Sequence, residues 1–278
     1  MPHITALYGQ DPDREWARLD QDPFHRLEYD TTLHFLAPLL PRAGQVLDAG
    51  GGPGRYAIAL ARRGLQITLL DLTPELLTIA RREAAQAGVG AALTIEQGNI
   101  VDLSRYADGQ FDASLCLGGP LSHVRTIDAR QRAVDELARV TRPGGLVAIS
   151  VMGRLAVVIE APANWPQEIA AQTSWRRLWR DGEDERFVAK FYCHFFLAEE
   201  LEALLEAAGL EVLQRVGLEG IGSHDWDAIN RLATEEPTSY RHWLEAHLAL
   251  AVHPAIVATS GHILMIARKG HVDEQSPD

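Results

Sequence analysis

The residues best suited to chemistry lie close together in the first half of the chain. Val46 to Tyr56 reads VLDAGGGPGRY, with glycine at 50, 51, 52 and 54 between an apolar run and a helical pattern. Glycine there lets the backbone turn sharply and approach a ligand closely, and the start of the next helix offers unpaired N–H groups. The spacing discriminates between ligands. In the dinucleotide fingerprint G-x-G-x-x-G/A, counting from Gly50 puts Arg55 at the last position, too bulky for close helix–strand packing. Counting from Gly51 puts Pro53 at the second glycine. The triphosphate loop G-x-x-x-x-G-K-[ST] fails because no lysine is near. The pattern that remains is D-x-G-x-G-x-G at Asp48, Gly50, Gly52 and Gly54.

Further downstream, LGGPLSHV (117–124) combines a tight Gly-Gly-Pro turn with His123, an imidazole able to act as a base or to hydrogen-bond a ligand near neutral pH. The competing reading is a histidine packed against the next helix. Tyr192 and His194 lie in FYCHFF, and His262 opens the last apolar run. No histidine pair has ligand spacing for a metal: His242 and His247 are five apart, on different faces of a helix, so no metal is expected. The two cysteines, Cys116 and Cys193, make neither a disulfide scaffold nor a four-thiolate site.

The elements that must hold these residues follow a repeating rhythm. QVLDAG (45–50), QITLLD (66–71), ALTIEQ (92–97), FDASLCL (111–117) and LVAISV (146–151) read as buried strands. Helical patterns intervene at 54–63, from Thr73 to Gly88, and at about 127–139. Strands alternating with helices of this length predict βαβ units and a parallel sheet with helices on both faces. The rhythm breaks at Met152. Up to Leu197 the chain carries Trp165, Trp175, Trp179, Phe187, Phe191, Tyr192, Phe195 and Phe196, against 7% aromatic overall. This reads as an insertion. A helix from Leu201 to Ala208, a strand at 210–216, helices at about 225–233 and 239–251, and a last strand at 262–268 complete the pattern, followed by the polar tail HVDEQSPD.

Together these motifs resemble the class I S-adenosylmethionine-dependent methyltransferases. Asp48 to Gly54 is similar to that family's first motif, and Asp71 ends the second strand where the family places an acid on the ribose hydroxyls. GNIVDL (98–103) is similar to the segment beside adenine, Phe111-Asp112 opens the fourth strand, and RPGG (142–145) is the usual turn before the fifth. The resemblance implies S-adenosyl-L-methionine as cofactor, held by Asp48, Gly50, Gly51, Gly52, Gly54, Asp71, Leu72, Asn99, Ile100, Leu117 and Gly118. It implies a Rossmann-like α/β fold: a seven-stranded, mostly parallel sheet with a final antiparallel strand. One domain is expected, with a helical segment at 1–44, a cofactor-binding core at 45–151, a lid at 152–197 over the acceptor, and the rest of the core at 198–270. His123 would be catalytic, while Tyr192, His194 and His262 would face the acceptor. Families of this kind also fold an N-terminal segment over the cofactor, here carrying Tyr8, Trp16, Arg26 and Tyr29.

Composition narrows the function. The 278 residues are 46% hydrophobic and 23% charged, with net charge −12, so a global basic footprint for nucleic acid is missing. No stretch reads as a membrane span or a signal peptide, and a cytoplasmic protein is expected. The leading expectation is methyl transfer to a small-molecule acceptor. Two alternatives stay open. The insertion and the final H-x-x-x-x-A-R-K strand also resemble enzymes that modify tRNA wobble uridines, and a catalytically silent cofactor-binding regulator would carry the same loop. No sequence feature sets an oligomeric state.

Overall fold

The computed structural model describes residues 2–185 and 191–270; Phe187 and the tail from 271 to 278 lie outside the described residues. The chain opens with two short helices, α1 (Pro2–Tyr8) and α2 (Pro12–Ala17), and a single 3₁₀ turn (Arg18–Asp20). Helix α3 (Pro23–Leu36) follows, capped by the Asp22 side chain on the His25 N–H. The alternating region then runs β1 (Gln45–Ala49), α4 (Arg55–Ala61), β2 (Gln66–Asp71), α5 (Pro74–Gln86), β3 (Leu93–Gln97), β4 (Phe111–Cys116), α6 (Ile127–Val140) and β5 (Thr141–Met152). Beyond it come α7 (Arg154–Asn164), α8 (Pro166–Ala170), α9 (Gln172–Asp181) and the two-residue strands β6 (Glu183–Asp184) and β7 (Cys193–His194). The chain closes with α10 (Ala198–Ala207), β8 (Leu210–Gly217), α11 (Trp226–Glu235), α12 (Pro237–Leu250), α13 (Pro254–Thr259) and β9 (His262–Lys269).

Seven strands form one sheet in the order β3-β2-β1-β4-β5-β9-β8. All neighbours are parallel except β9, which runs antiparallel to both β5 and β8. The expected topology is therefore the observed one. Its central strands are buried on both faces, as a helix-covered parallel sheet requires. Val147, Ile149 and Val151 point into one core with Val134 and Leu137 of α6 and Leu201 and Leu205 of α10. Leu146 and Ala148 point into the other with Leu60 of α4 and Leu77 of α5. Each such aliphatic side chain contributes roughly 1.5–3 kcal/mol by leaving water.

The strand order reverses between β1 and β4, whose carboxyl ends leave the crevice in which doubly wound sheets bind ligands. The first motif and the Leu117–Val124 segment meet there. The RPGG turn lies inside β5 as an irregularity: the pairing with β4 jumps from Phe111↔Thr141 to Ala113↔Leu146.

The aromatic-rich segment is anchored by Arg154, a buried guanidinium. Its Nε donates to the Phe195 carbonyl at 3.0 Å, Nη1 to the Arg180 carbonyl at 3.1 Å, and Nη2 to Glu200 at 2.6 Å. The i,i+4 spacing of Trp175 and Trp179 predicts that both pack inward. Instead Leu178 is the buried residue of α9, Trp175 borders its cluster, and Trp179 is exposed. Among the described residues no helix is long and apolar enough to cross a membrane.

Candidate active site

The glycine loop is built from its neighbours' backbone. The Leu70 carbonyl at the end of β2 accepts from the N–H groups of Gly50 (2.6 Å) and Gly51 (3.3 Å). Gly50 sits at φ +80°, and a Cβ there would lie 2.6 Å from the Pro120 ring. Glycine is required on both counts. Gly54, at φ +88°, caps α4, and a Cβ on it would press to 3.3 Å on both Leu69 and Ala80. Gly54 is absent from the cavity wall and instead allows α4 to pack against β2 and α5.

Below the loop lies Asp48, fully buried, with no hydrogen-bond partner for either carboxylate oxygen. Burial, then the charge of Asp71, push its carboxyl up to about 7. Asp48 too is off the cavity wall; it underlies Gly51, whose Cβ would fall 2.5 Å from its Oδ2. Asp71 does reach the wall. Its Oδ2 accepts from the Gly52 N–H (2.9 Å) and its Oδ1 from the Thr73 N–H (2.8 Å), so it also ties the loop to β2. Burial raises the Asp71 carboxyl despite these two donors.

Gly50, Gly51, Gly52 and Asp71 line a cavity together with Leu72, Asn99, Ile100, Leu117, Gly118, His123 and Tyr56. Asn99 Oδ1 accepts from the Val101 N–H at 3.2 Å. The other wall comes from the N-terminus, where Ile4, Tyr8, Glu15, Arg18 and Leu19 complete the enclosure. Arg55 holds this cover in place. Its Nε donates to the Trp16 carbonyl at 2.7 Å, its guanidinium stacks on the Trp16 ring at 3.9 Å, and it pairs with Asp20. The residue that breaks the dinucleotide fingerprint is thus the cover's anchor. Of the other N-terminal residues singled out, Arg26 stacks on Tyr29, and Tyr29 on Tyr56, behind the wall.

His123 occupies the end of the cavity beyond β4, on the 3₁₀ turn Pro120–His123. Its Nδ1 is 3.2 Å from the Tyr192 carbonyl and its Nε2 is 3.1 Å from the Tyr8 hydroxyl. A carbonyl can only accept, which assigns the proton to Nδ1 and leaves Nε2 as the acceptor of the Tyr8 O–H. Burial lowers the imidazole to about 4, against the pull of the Tyr192 carbonyl, so it is neutral at neutral pH. Phe191 packs on it with ring centroids 5.1 Å apart, and Tyr8 lies 6.2 Å from Phe191.

The structure does not bring three expected acceptor residues to this cavity. The Tyr192 hydroxyl donates to the Arg125 carbonyl and accepts from Arg130 Nη1, both at 2.8 Å, so its side chain faces away. His194 lies 3.0 Å from Glu183 and borders a separate depression with Arg130, Glu183 and Glu200. His262 Nδ1 is 2.6 Å from Glu219 and 4.0 Å from Glu28. Buried imidazoles within reach of carboxylates hydrogen-bond to them first, and sequence spacing does not register those carboxylates. The 152–197 segment likewise contributes no described residue to the cavity wall; it reaches His123 from behind, through Phe191 and the Tyr192 carbonyl.

No metal spacing was visible in the sequence, yet the fold gathers Glu28, Glu219 and His262 within 4.8 Å. Their donor atoms are already committed. Arg18 pairs with Glu28 at 2.6 Å, and Glu219 accepts from Ser260 Oγ and the His262 N–H. Burial would lower the His262 imidazole, but Glu28 and Glu219 outweigh it and hold it up to about 9. The cluster is a charge network joining the cover's last turn and α3 to β9.

Residues 46–145 match a family model described as a methyltransferase domain. The chain is 30% identical over 234 residues to the ubiquinone biosynthesis O-methyltransferase of Xanthomonas axonopodis pv. citri (strain 306), covering 84% of this chain and 86% of that one. A Xylella fastidiosa protein of the same name is 35% identical over 135 residues, 48% of this chain and 52% of that one. Among solved structures, a SAM-dependent methyltransferase from Methanosarcina mazei superposes with a TM-score of 0.59 at 19% identity, over 85% of this chain and 97% of that one. The [4+2]-cyclase SpnF superposes at 0.56 and 24%, over 89% and 81%, so the fold alone does not fix the reaction. The chain belongs to the class I S-adenosylmethionine-dependent methyltransferases. It is an enzyme that transfers a methyl group from S-adenosylmethionine to a small-molecule acceptor.

Proposed function

We propose that the acceptor atom is the hydroxyl oxygen of a small, planar, largely apolar molecule, with His123 as the base. The observation that carries this reading is the His123 imidazole, neutral, oriented by the Tyr192 carbonyl and presenting Nε2 at the cavity. The relatives named O-methyltransferases support oxygen over nitrogen, carbon or sulfur. The rings of Tyr8 and Tyr56 in the cavity wall favour a planar acceptor.

The residues present suit the cofactor: a glycine cradle in which a Cβ at Gly50 would strike Pro120 and one at Gly51 would strike Asp48, an acid at the end of β2, and an amide at Asn99. In this reading Asp71 takes the ribose hydroxyls, Asn99 and Ile100 flank the adenine, and the Gly50–Gly52 backbone receives the amino-acid end. When bound, S-adenosylmethionine supplies an electrophilic methyl on a positively charged sulfur. The chain's own contribution is mainly positional, since aligned reactants gain most of the rate from orientation. His123 Nε2 is the final site of the positive charge released by the acceptor as the oxygen–methyl bond forms.

The test is methyl-labelled S-adenosylmethionine offered with phenols and catechols, matched aromatic amines and thiols, and bulk tRNA. Label on a phenolic oxygen is the expected result. Label on nitrogen, sulfur or tRNA, with none on oxygen, overturns the reading.

A second expectation concerns Asp71. Asp71→Ala should weaken S-adenosylhomocysteine binding by about 1–3 kcal/mol, the cost of losing a charged hydrogen-bonding partner. Part of that loss comes from the Gly52 N–H, which Asp71 also holds. Asp71→Asn keeps an acceptor for that donor and should lose less. Calorimetric affinities equal to wild type in both variants remove Asp71 from the ribose role.

A further inference from the structure

The position of Tyr8 raises a question about how His123 reaches an acceptor. Nδ1 of His123 is committed to the Tyr192 carbonyl, so Nε2 is the ring's available lone pair. That lone pair already receives the Tyr8 hydroxyl, at 3.1 Å. Tyr8 itself lines the cavity and is the last residue of α1, part of the cover. Its ring is fixed by edge contacts with His123 and Phe191, centroids 6.0 and 6.2 Å away. An acceptor hydroxyl placed in the cavity therefore has two routes for its proton. It can push Tyr8 off Nε2, breaking a buried hydrogen bond and two ring contacts. Or it can donate to the Tyr8 oxygen while Tyr8 passes its own proton to Nε2.

We propose that Tyr8 is a catalytic proton relay between the acceptor hydroxyl and His123, supplied by the N-terminal cover. The proposal rests on the reading that the acceptor is a hydroxyl and His123 its base. The bookkeeping of the step is closed. The acceptor O–H bond breaks and its proton bonds to the Tyr8 oxygen. The Tyr8 O–H bond breaks and that proton bonds to Nε2. The acceptor oxygen's electron pair forms the bond to the methyl carbon, and the carbon–sulfur pair leaves with the sulfur. Tyr8 ends the step as a neutral phenol and His123 as an imidazolium. Burial, then the Glu15 carboxylate, push the Tyr8 hydroxyl above its ordinary value, so a free tyrosinate is disfavoured along this route. The arrangement also makes chemistry conditional on closure: with α1 displaced, the relay atom is missing from the cavity.

The experiment compares two acceptors, one ordinary phenol and one nitro-substituted phenol already ionised at the assay pH, with wild type, Tyr8→Phe and His123→Ala. Phenylalanine keeps the ring contacts and removes only the relay oxygen. For Tyr8→Phe we expect kcat on the ordinary phenol to fall about 10²-fold, the lower end of what a positioned proton transfer contributes. On the ionised phenol it should fall little, and S-adenosylhomocysteine affinity should stay at the wild-type value. An equal loss on both phenols makes Tyr8 a packing residue and overturns the relay, as does a rate equal to or above wild type. The two readings fail separately. If His123→Ala shows the acceptor-dependent loss and Tyr8→Phe does not, the relay alone is wrong. If His123→Ala has no effect on either phenol, the underlying assignment of the base is wrong. A melting temperature for Tyr8→Phe matching wild type excludes misfolding as the cause.

Discussion

His123→Ala is expected to lower kcat about 10²–10⁴-fold on the true acceptor while leaving the S-adenosylhomocysteine dissociation constant nearly unchanged. The separation follows from placement. His123 lies past β4 beside Tyr8, Pro120 and Val124, whereas Gly50–Gly52, Asp71 and Asn99 come from the ends of β1, β2 and β3. Removing the imidazole also leaves the Tyr192 carbonyl and the Tyr8 hydroxyl without a partner. Glutamine separates proton transfer from this positional role. Its amide can engage both neighbours but cannot take a proton at neutral pH. His123→Gln should therefore restore stability and acceptor KM without restoring kcat. Full rescue of turnover by glutamine would reduce His123 to a positioning residue, and wild-type rates in both variants would remove it from the reaction.

What the sequence made legible here is local. The Asp48–Gly54 loop, Asp71, Asn99, Ile100, Leu117, Gly118 and His123 each sit at the end of a strand whose apolar run marks it. Reading the strand order then places them at one crevice, and of the candidate cofactor residues all but Asp48 and Gly54 reach its wall. Those two exceptions are instructive: an acid and a glycine can serve a ligand by supporting the loop from beneath. The rest of the site was illegible for a physical reason. Ile4, Glu15, Arg18 and Leu19 belong to elements of three to seven residues, too short for periodicity to emerge. Their docking depends on Arg55, Asp20 and Glu28, pairings that only the tertiary fold reveals. The aromatic count at 152–197 marked the buried Phe191, Tyr192, Phe195 and Phe196 but also the exposed Trp179. It could not say against what, because two-residue strands such as β6 and β7 define no face from sequence. Tyr192 and His194 consequently turn toward Arg130 and Glu183 and away from the acceptor.

Folding stability is expected to fall below about pH 6.5, where His247 and His123 lose stability and Asp48 opposes them, and again toward pH 9 through His262. His247 is fully buried on α12: Nε2 meets Thr31 Oγ1 at 2.9 Å, Nδ1 has no partner, and the ring stacks on Trp243. Burial lowers it from 6.5 to about 4, with Glu219 pulling the other way and His34 reinforcing the shift. The unfolded chain then binds a proton that the folded chain refuses, so stability is lost as the pH falls from 6.5 toward 4, by roughly 3 kcal/mol at the limit. His262 has the opposite sign. Its folded value is held up to about 9 by Glu28 and Glu219, so its contribution is fully present below 6.5 and is lost as the pH rises through 9, again by roughly 3 kcal/mol at most. Urea unfolding midpoints measured across this range should trace the dome. His262→Gln should flatten the alkaline limb and leave the acid limb in place. His247→Gln keeps a donor for Thr31 and should make the acid limb shallower between about pH 6.5 and 5, leaving the part that His123 contributes and Asp48 opposes. An acid limb unchanged in His247→Gln, or an alkaline limb unchanged in His262→Gln, would show that other groups govern the pH dependence. In that case the network joining Arg18, Glu28, Glu219 and His262 would hold the N-terminal cover to β9 without a titrating member in the physiological range.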